Sequence, residues 1–292
     1  MILLTGATGN VGSAVLRRLT ASGERVRCLV RDPRRLGAER VRVQIALGDL
    51  SDPSSFRNAL RGVDTVVHLA AAIRDQPRAS IEELNSVATL RLVRAAERTG
   101  TKRFVFFSAI GASLHERSRF FRAKALAERA VEESPLDSIT FAPSIVYSPG
   151  DPWITLLRRL SWLPALPVSG SGKALYQPIW AEDAADAVLA ALQLPQDGHR
   201  DFELAGPETL SYDGIVRVAL RAFARRRRLL HVPLPVVRAG LRTLEAIARD
   251  RAFATWEEAE LMEIPMTTPR GTADAESLGV NPLRMSAVLG DG

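Results

Sequence analysis

Cysteine, lysine and tyrosine are scarce in this 292-residue chain, and each scarcity excludes something. The single cysteine, Cys28, has no partner for a disulfide and lies inside a strand pattern, so it reads as a core residue of a protein kept in a reducing, cytoplasmic compartment. No apolar run is long enough to cross a bilayer. The first strand starts at residue 2, so no signal or transit peptide is expected. Aromatics make up only 6% of the chain and no nucleic-acid reading motif accompanies the net charge of +6, so no nucleic-acid partner is expected. Three of the 39 basic residues are lysines (Lys102, Lys124, Lys173); the rest are arginines, densest over 225–228. That run reads as a solvated helix end, or as a contact site for anionic lipid or a protein partner.

What is present begins at the N-terminus. Residues 2–4 are a buried-strand run, glycines follow at Gly6, Gly9 and Gly12, and Val11, Val15, Leu16 and Leu19 keep helical spacing until Ser22 and Gly23. A strand turning sharply into a helix presents unpaired N–H groups and a positive dipole end to an anion. Gly6 fits the tight turn, Gly9 the close approach to phosphate and Gly12 the packing of helix on strand, as a pyrophosphate site requires.

The second strand, 25–30, bears on which dinucleotide is bound. A carboxylate at its end would hold the adenosine ribose, but the strand ends on Val30 and Arg31 follows. A planar, permanently charged guanidinium suits a phosphate, so NADP(H) is preferred, with NAD(H) as the alternative if the strand ends two residues later and Asp32 takes the ribose. Arg34 and Arg35 read equally as binding residues or as a solvated turn.

Further strands are expected at 41–47, 65–69, 104–107 and 139–141, with helices near 54–61, 81–99 and 117–133. The pattern predicts an α/β protein with a doubly wound parallel sheet over 1–147, to which 174–193 return. The remainder of 148–292 reads as a smaller, mostly helical substrate region, helical with two short strands from residue 202 onward. Residues 153–168 mix Trp, Leu and Arg before a run of prolines and read as an apolar lid or a membrane-surface helix. Residues 232–247 have the spacing of an amphipathic core helix.

Together these segments resemble the extended and atypical short-chain dehydrogenase/reductases over nearly the whole chain. TGATGNVG at 5–12 resembles the family's TGxxGxxG, Gly48-Asp49-Leu50 its adenine-holding GD(L/I), and 68–72 its HLAA segment beneath ribose and pyrophosphate. NSVAT at 85–89, PSIV at 143–146 with Pro149-Gly150-Asp151, QPI at 177–179 and LAGP at 204–207 resemble later family segments. The chain is most like the atypical branch holding the NDUFA-type accessory subunit of respiratory complex I, beside the NmrA-like regulators. The resemblance implies cofactor contacts from Gly6, Thr8, Gly9, Asn10, Val11, Gly12, Asp49, Leu50, Ala70, Ala71, Asn85, Pro143 and Ile145. Asn85 reads equally as a helix cap.

The catalytic pattern is where the chain departs from the family. Active members carry a Tyr and a Lys four residues apart on one helix face, the ammonium lowering the phenol's pKa so that it can pass a proton. Here the pair is Phe120 and Lys124, and none of the three tyrosines (Tyr147, Tyr176, Tyr212) lies on that helix. The family's strand-end serine falls on Ala109, with Ser108 one residue early. Lys124 stands where composition favours arginine and reads as a ligand of the nicotinamide ribose hydroxyls or as a surface lysine. His115 is the candidate substitute acid, and His68 reads as structural. The expected activity is hydride transfer to a small apolar acceptor such as a quinone or carbonyl; a cofactor-holding sensor or accessory subunit with a protein partner is the alternative.

Overall fold

The computed structural model describes residues 1–77, 79–248 and 256–290. Seven strands form one parallel sheet: β1 Ile2–Thr5, β2 Val26–Val30, β3 Gln44–Leu47, β4 Thr65–His68, β5 Arg103–Phe107, β6 Asp137–Pro143 and β11 His199–Leu204. Their order, β11-β6-β5-β4-β1-β2-β3, reverses direction between β1 and β4. Short pairs lie outside the sheet: β7 Val146–Tyr147 with β10 Ile179–Trp180, β9 Leu175–Tyr176 with β12 Leu210–Ser211, and β8 Ala165–Ser169 with β13 Arg228–Val232. The helices are α1 Asn10–Ala21, α2 Pro53–Phe56, α3 Ala88–Arg98, α4 Arg119–Glu132, α5 Pro152–Leu160, α6 Ala181–Leu192, α7 Tyr212–Ala222, α8 Leu234–Ala248, α9 Trp256–Leu261, α10 Ala273–Ser277 and α11 Met285–Leu289.

Strand alternation divides the core. Leu3, Val66, Phe104 and Phe106 turn to the face covered by α2, α3 and α4, where Phe56, Leu92 and Val131 meet them. Leu4, Cys28, Val67, Val105, Ile139 and Phe141 turn to the other face and pack on Val15 and Leu19 of α1 and Val188 of α6. Full burial of such side chains is worth roughly 1.5–3 kcal/mol each, which is why both faces must be covered. Burial pushes the Cys28 thiol up to about 12, so it is an inert core group. A third cluster, built on Tyr147, Tyr176, Tyr212, Leu157 and Ile215, holds the smaller region together. Among the described residues no helix is long and apolar enough to cross a membrane.

Three local expectations change. The strand read at 41–47 begins only at Gln44, because Asp32 and Pro33 start a 3₁₀ turn and, after a kink at Gly37 (φ +59°), a second such turn runs through Val41. Residues 199–204, in a stretch read as outside the sheet, pair in parallel with β6 and supply its last strand. The helix read as core at 232–247 carries no fully buried side chain over 234–241, and the side chains of 242–248 lie outside the described residues.

One buried charge ties the sheet to α6. The Arg103 guanidinium pairs with Asp137 at 2.5 Å and donates to the carbonyls of Ala191, Leu192 and Leu194, which close the C-terminus of α6. Replacing it takes the cation from Asp137, which keeps only the Asp197 N–H, and a donor from three carbonyls, of which Ala191 O keeps the Leu194 N–H. Arg103→Met is expected to lose about 3–5 kcal/mol in urea denaturation; a loss under about 1 kcal/mol, as for a surface pair, would contradict this role.

Candidate functional site

In a parallel sheet every strand ends on the same edge, and a crevice opens where the strand order reverses. Here it lies between β1 and β4, and the residues singled out in the sequence follow the strand ends around it: the glycine loop after β1, Arg31 after β2, Asp49 and Leu50 after β3, Ala70 and Ala71 after β4, Ser108 after β5, and Pro143 at the end of β6.

The glycine loop is built by close contact. Gly6 has φ +73°, and a Cβ there would sit 2.6 Å from Ala70 N. A Cβ on Gly12 would sit 2.0 Å from the Gly6 carbonyl oxygen, so α1 starts flush against the turn. Gly9 is the N-cap residue, its N–H donating to Gly6 O at 2.9 Å, and no side chain caps α1. The Ser13 N–H donates to Gly9 O, and the N–H groups of Asn10, Val11 and Gly12 before it are arranged as an anion site requires. Thr8 is half-buried in the loop. Asn10 Nδ2 lies 3.5 Å from the Asp151 carboxylate. Asp151 in turn accepts the N–H groups of Ser148 and Ile154 and starts α5, and burial raises its pKa. The helix read as a lid is thus joined to the glycine loop.

The polar side chains behind the crevice are hydrogen-bonded to its loops and strands. Asn85 lies in a π-helical turn over Glu83–Val87 and is 1% exposed. Its amide donates to the carbonyls of Ala72 and Ile81 and accepts the Ala72 N–H, which fixes the loop after β4. His68 lies between the hydroxyls of Thr5 and Thr89, at 2.6 and 3.0 Å, and burial lowers its pKa to about 3, so it is a neutral structural group. Asp49 accepts the Ser51 N–H while its own N–H donates to Ser55 Oγ, and Leu50 packs against the core. Ile145 leads the chain into β7, its carbonyl accepting the Ile179 N–H of β10 at 3.0 Å. Arg31 is exposed, whereas Asp32 is held by Arg34, which keeps its carboxyl below the usual range.

Lys124 is the exceptional group. It is 2% exposed, donates to Phe107 O at 2.5 Å, and stands 4.8 Å from the Phe106 ring centroid and 5.8 Å from that of Phe120. Burial pushes its pKa down to about 7, with the Glu128 charge opposing. Ser108 is also buried, and its Oγ makes no well-formed hydrogen bond among the described residues, though the Glu128 carboxyl lies close enough to feel it. Glu128, its pKa raised by burial, was not singled out in the sequence; its position one helical turn beyond Lys124 was the available signal. Phe120 packs with Ala109, Phe121, Leu261, Met262, Ile264 and Met266, so an apolar wall stands where the family has a phenol. The His115 ring is exposed and makes no hydrogen bond or ion pair with Ser108 or Lys124 among the described residues. The tyrosines lie elsewhere, in the core of the smaller region.

The fold and site define a Rossmann-type dinucleotide-binding protein. The sequence model described as NAD(P)H-binding matches residues 6–155, and the chain belongs to that family, within the atypical short-chain dehydrogenase/reductases. It is 27% identical, over 80% of its length and 74% of theirs, to the ceramide reductase of Caulobacter vibrioides. It is 24% identical, over 95% of its length, to the mitochondrial NADH dehydrogenase (ubiquinone) 1 alpha subcomplex subunit 9 of Mus musculus, of which it covers 75%. A solved nucleoside-diphosphate-sugar epimerase from Staphylococcus aureus shares the fold, with a TM-score of 0.77 at 20% identity over 99% of each chain.

The lowered pKa of Lys124 gives a signed prediction. Between pH 7 and about 10 the unfolded chain keeps this proton and the folded one has shed it, so stability rises with pH across that window. Lys124→Met should therefore gain stability relative to wild type most at pH 6, with the gain shrinking by a few kcal/mol towards pH 10 in denaturant titrations. A difference that stays constant with pH would show that the ammonium is not desolvated.

Proposed function

We propose that the protein is a cytoplasmic, NADPH-dependent oxidoreductase that reduces a small apolar acceptor, a quinone or a carbonyl compound, without a catalytic tyrosine. The observation that carries this reading is the buried Lys124 kept beside an apolar wall at Phe120. A desolvated cation at the end of β5 needs a purpose, because burying it costs stability.

When bound, the dinucleotide supplies the hydride. The glycine loop, with the N–H groups at Asn10, Val11 and Gly12, receives the pyrophosphate; Asp49 and Leu50 border the adenine; Ala70 and Ala71 pass beneath the ribose; Pro143 and Ile145 flank the nicotinamide. Arg31, exposed at the end of β2, takes the 2′-phosphate, and Asp32 is already committed to Arg34. Lys124 donates to the ribose hydroxyls of the nicotinamide half. Ser108, with its hydroxyl unengaged, donates to the acceptor's oxygen and stabilises the charge that grows there. His115 reaches the site only by movement of its loop and acts, in this reading, as a proton source second to water.

The apolar cluster of Phe120, Leu261, Met262 and Met266 suits a flat or lipid-like acceptor, as does the relative named for reduction of ceramide. The second reading is a cofactor-holding accessory subunit or redox sensor with a protein partner. Phe120 and Ala109 favour it, since neither can move a proton, and so does the relative named as a subunit of NADH dehydrogenase.

Titration of nicotinamide fluorescence, followed by quinones and apolar carbonyls, separates the two. A reductase oxidises NADPH only when an acceptor is added; tight binding with no turnover across the panel would favour the subunit or sensor. Arg31→Asp should weaken NADPH by about tenfold or more while leaving NADH within about twofold, since one charge-assisted phosphate contact is removed. Equal losses for both nucleotides would remove Arg31 from the 2′-phosphate.

A further inference from the structure

The densest positive charge of the chain stands on the smaller region, away from the strand-end crevice. α5 ends in Arg158 and Arg159, and the turn after it carries Trp162, 72% exposed, and Leu163, 44% exposed. Across a concavity of about 640 Å³, α7 ends and the arginine run begins, with the Arg225 guanidinium 3.5 Å above the Trp162 ring. Ala224, between them, has φ +52°, the one positive φ of a non-glycine among the described residues. That strained turn folds Arg225 back onto the indole.

Two observations say what this surface meets. Arg158, Arg159, Arg225, Arg226 and Arg228 make no ion pair among the described residues, so the charge is left for an external anion. The apolar groups at its crest are a tryptophan and a leucine standing free of the core, an arrangement suited to the boundary between headgroups and acyl chains. A nucleic-acid surface would use the indole face for base stacking, but a guanidinium already covers one face.

We propose that this patch docks the protein on an anionic membrane surface, with Trp162 and Leu163 inserted at the headgroup level and the surrounding arginines paired to lipid phosphates. Docking is independent of turnover. It requires both signals, because a few cations or one aromatic wedge alone bind a bilayer weakly.

The test is flotation with vesicles of phosphatidylcholine alone and with one-third phosphatidylglycerol. The wild-type protein should float with the anionic vesicles, remain behind with the neutral ones, and release as salt is raised. Its tryptophan emission should shift to the blue on binding, and Trp162→Phe should abolish the shift. The quadruple variant Arg158→Gln, Arg159→Gln, Arg226→Gln, Arg228→Gln should lower the partition coefficient by about tenfold or more. NADPH titration of each variant verifies that the nucleotide-binding fold is intact. Equal binding to both vesicle types, undiminished binding by the quadruple variant, or capture by a DNA duplex with no vesicle binding would overturn the proposal.

Discussion

Two backbone segments touch at the head of the sheet, and the rest of the site is arranged around that contact. Gly12 stands so near the Gly6 carbonyl, and Gly6 so near Ala70, that a methyl group at either position collides with backbone. Backbone cannot yield as a flexible side chain can, so α1 is held flush to β1 and the loop after β4 is held flush to both. The consequence is electrostatic as well as steric. An uncapped helix N-terminus ends up aimed at the crevice where the strand order reverses, with exposed Arg31 beyond the neighbouring strand.

The other side of the crevice is set by a different compromise. Lys124 is packed among Phe106, Phe120 and the Phe107 carbonyl, an environment that disfavours its charge. In the usual family arrangement a phenol shares that space; here an apolar wall takes its place. What is retained is a cation able to hold a polyol, and what is lost is the proton carrier. The chain thus keeps the family's lysine and lacks its phenol. Glu128, one turn along the same helix, is the charge that supports the ammonium, and Ser108, just after β5, lies beside Glu128.

The local parts of this architecture were legible in the residues. The glycine spacing, the apolar run of β1 and the end of β2 at Val30 follow from contacts within a few positions, and the structure has them where the spacing put them. The parts that were not legible depend on distant partners. Asn85 offers a capping signal, yet it turns inward to clamp Ala72, which only the folded loop brings within reach. β11 became a strand because β6 presents a free edge, not because of a pattern in 199–204, where polar residues outnumber apolar ones. Val41 has the pattern of a strand start, but it lies in a second 3₁₀ turn that follows the kink at Gly37. Glu128 stands four residues after Lys124, a spacing visible in the residues, but only the folded helix shows that it is half-buried.

The central claim is that the glycine loop is shaped for a pyrophosphate and not merely for packing. Gly9 distinguishes the two, because it has an ordinary φ of −83° and the close contact of a Cβ there, 3.2 Å from the Gly6 carbonyl oxygen, is tight but well short of the collisions at Gly6 and Gly12. Calorimetric titration of Gly9→Ala with NADPH, beside a thermal melt, is the direct measurement. The expected result is a melting temperature lowered by no more than about 2–4 °C, as for a loss of roughly 1 kcal/mol, with an affinity lowered by about tenfold or more. An unchanged affinity in a fully folded variant would contradict it.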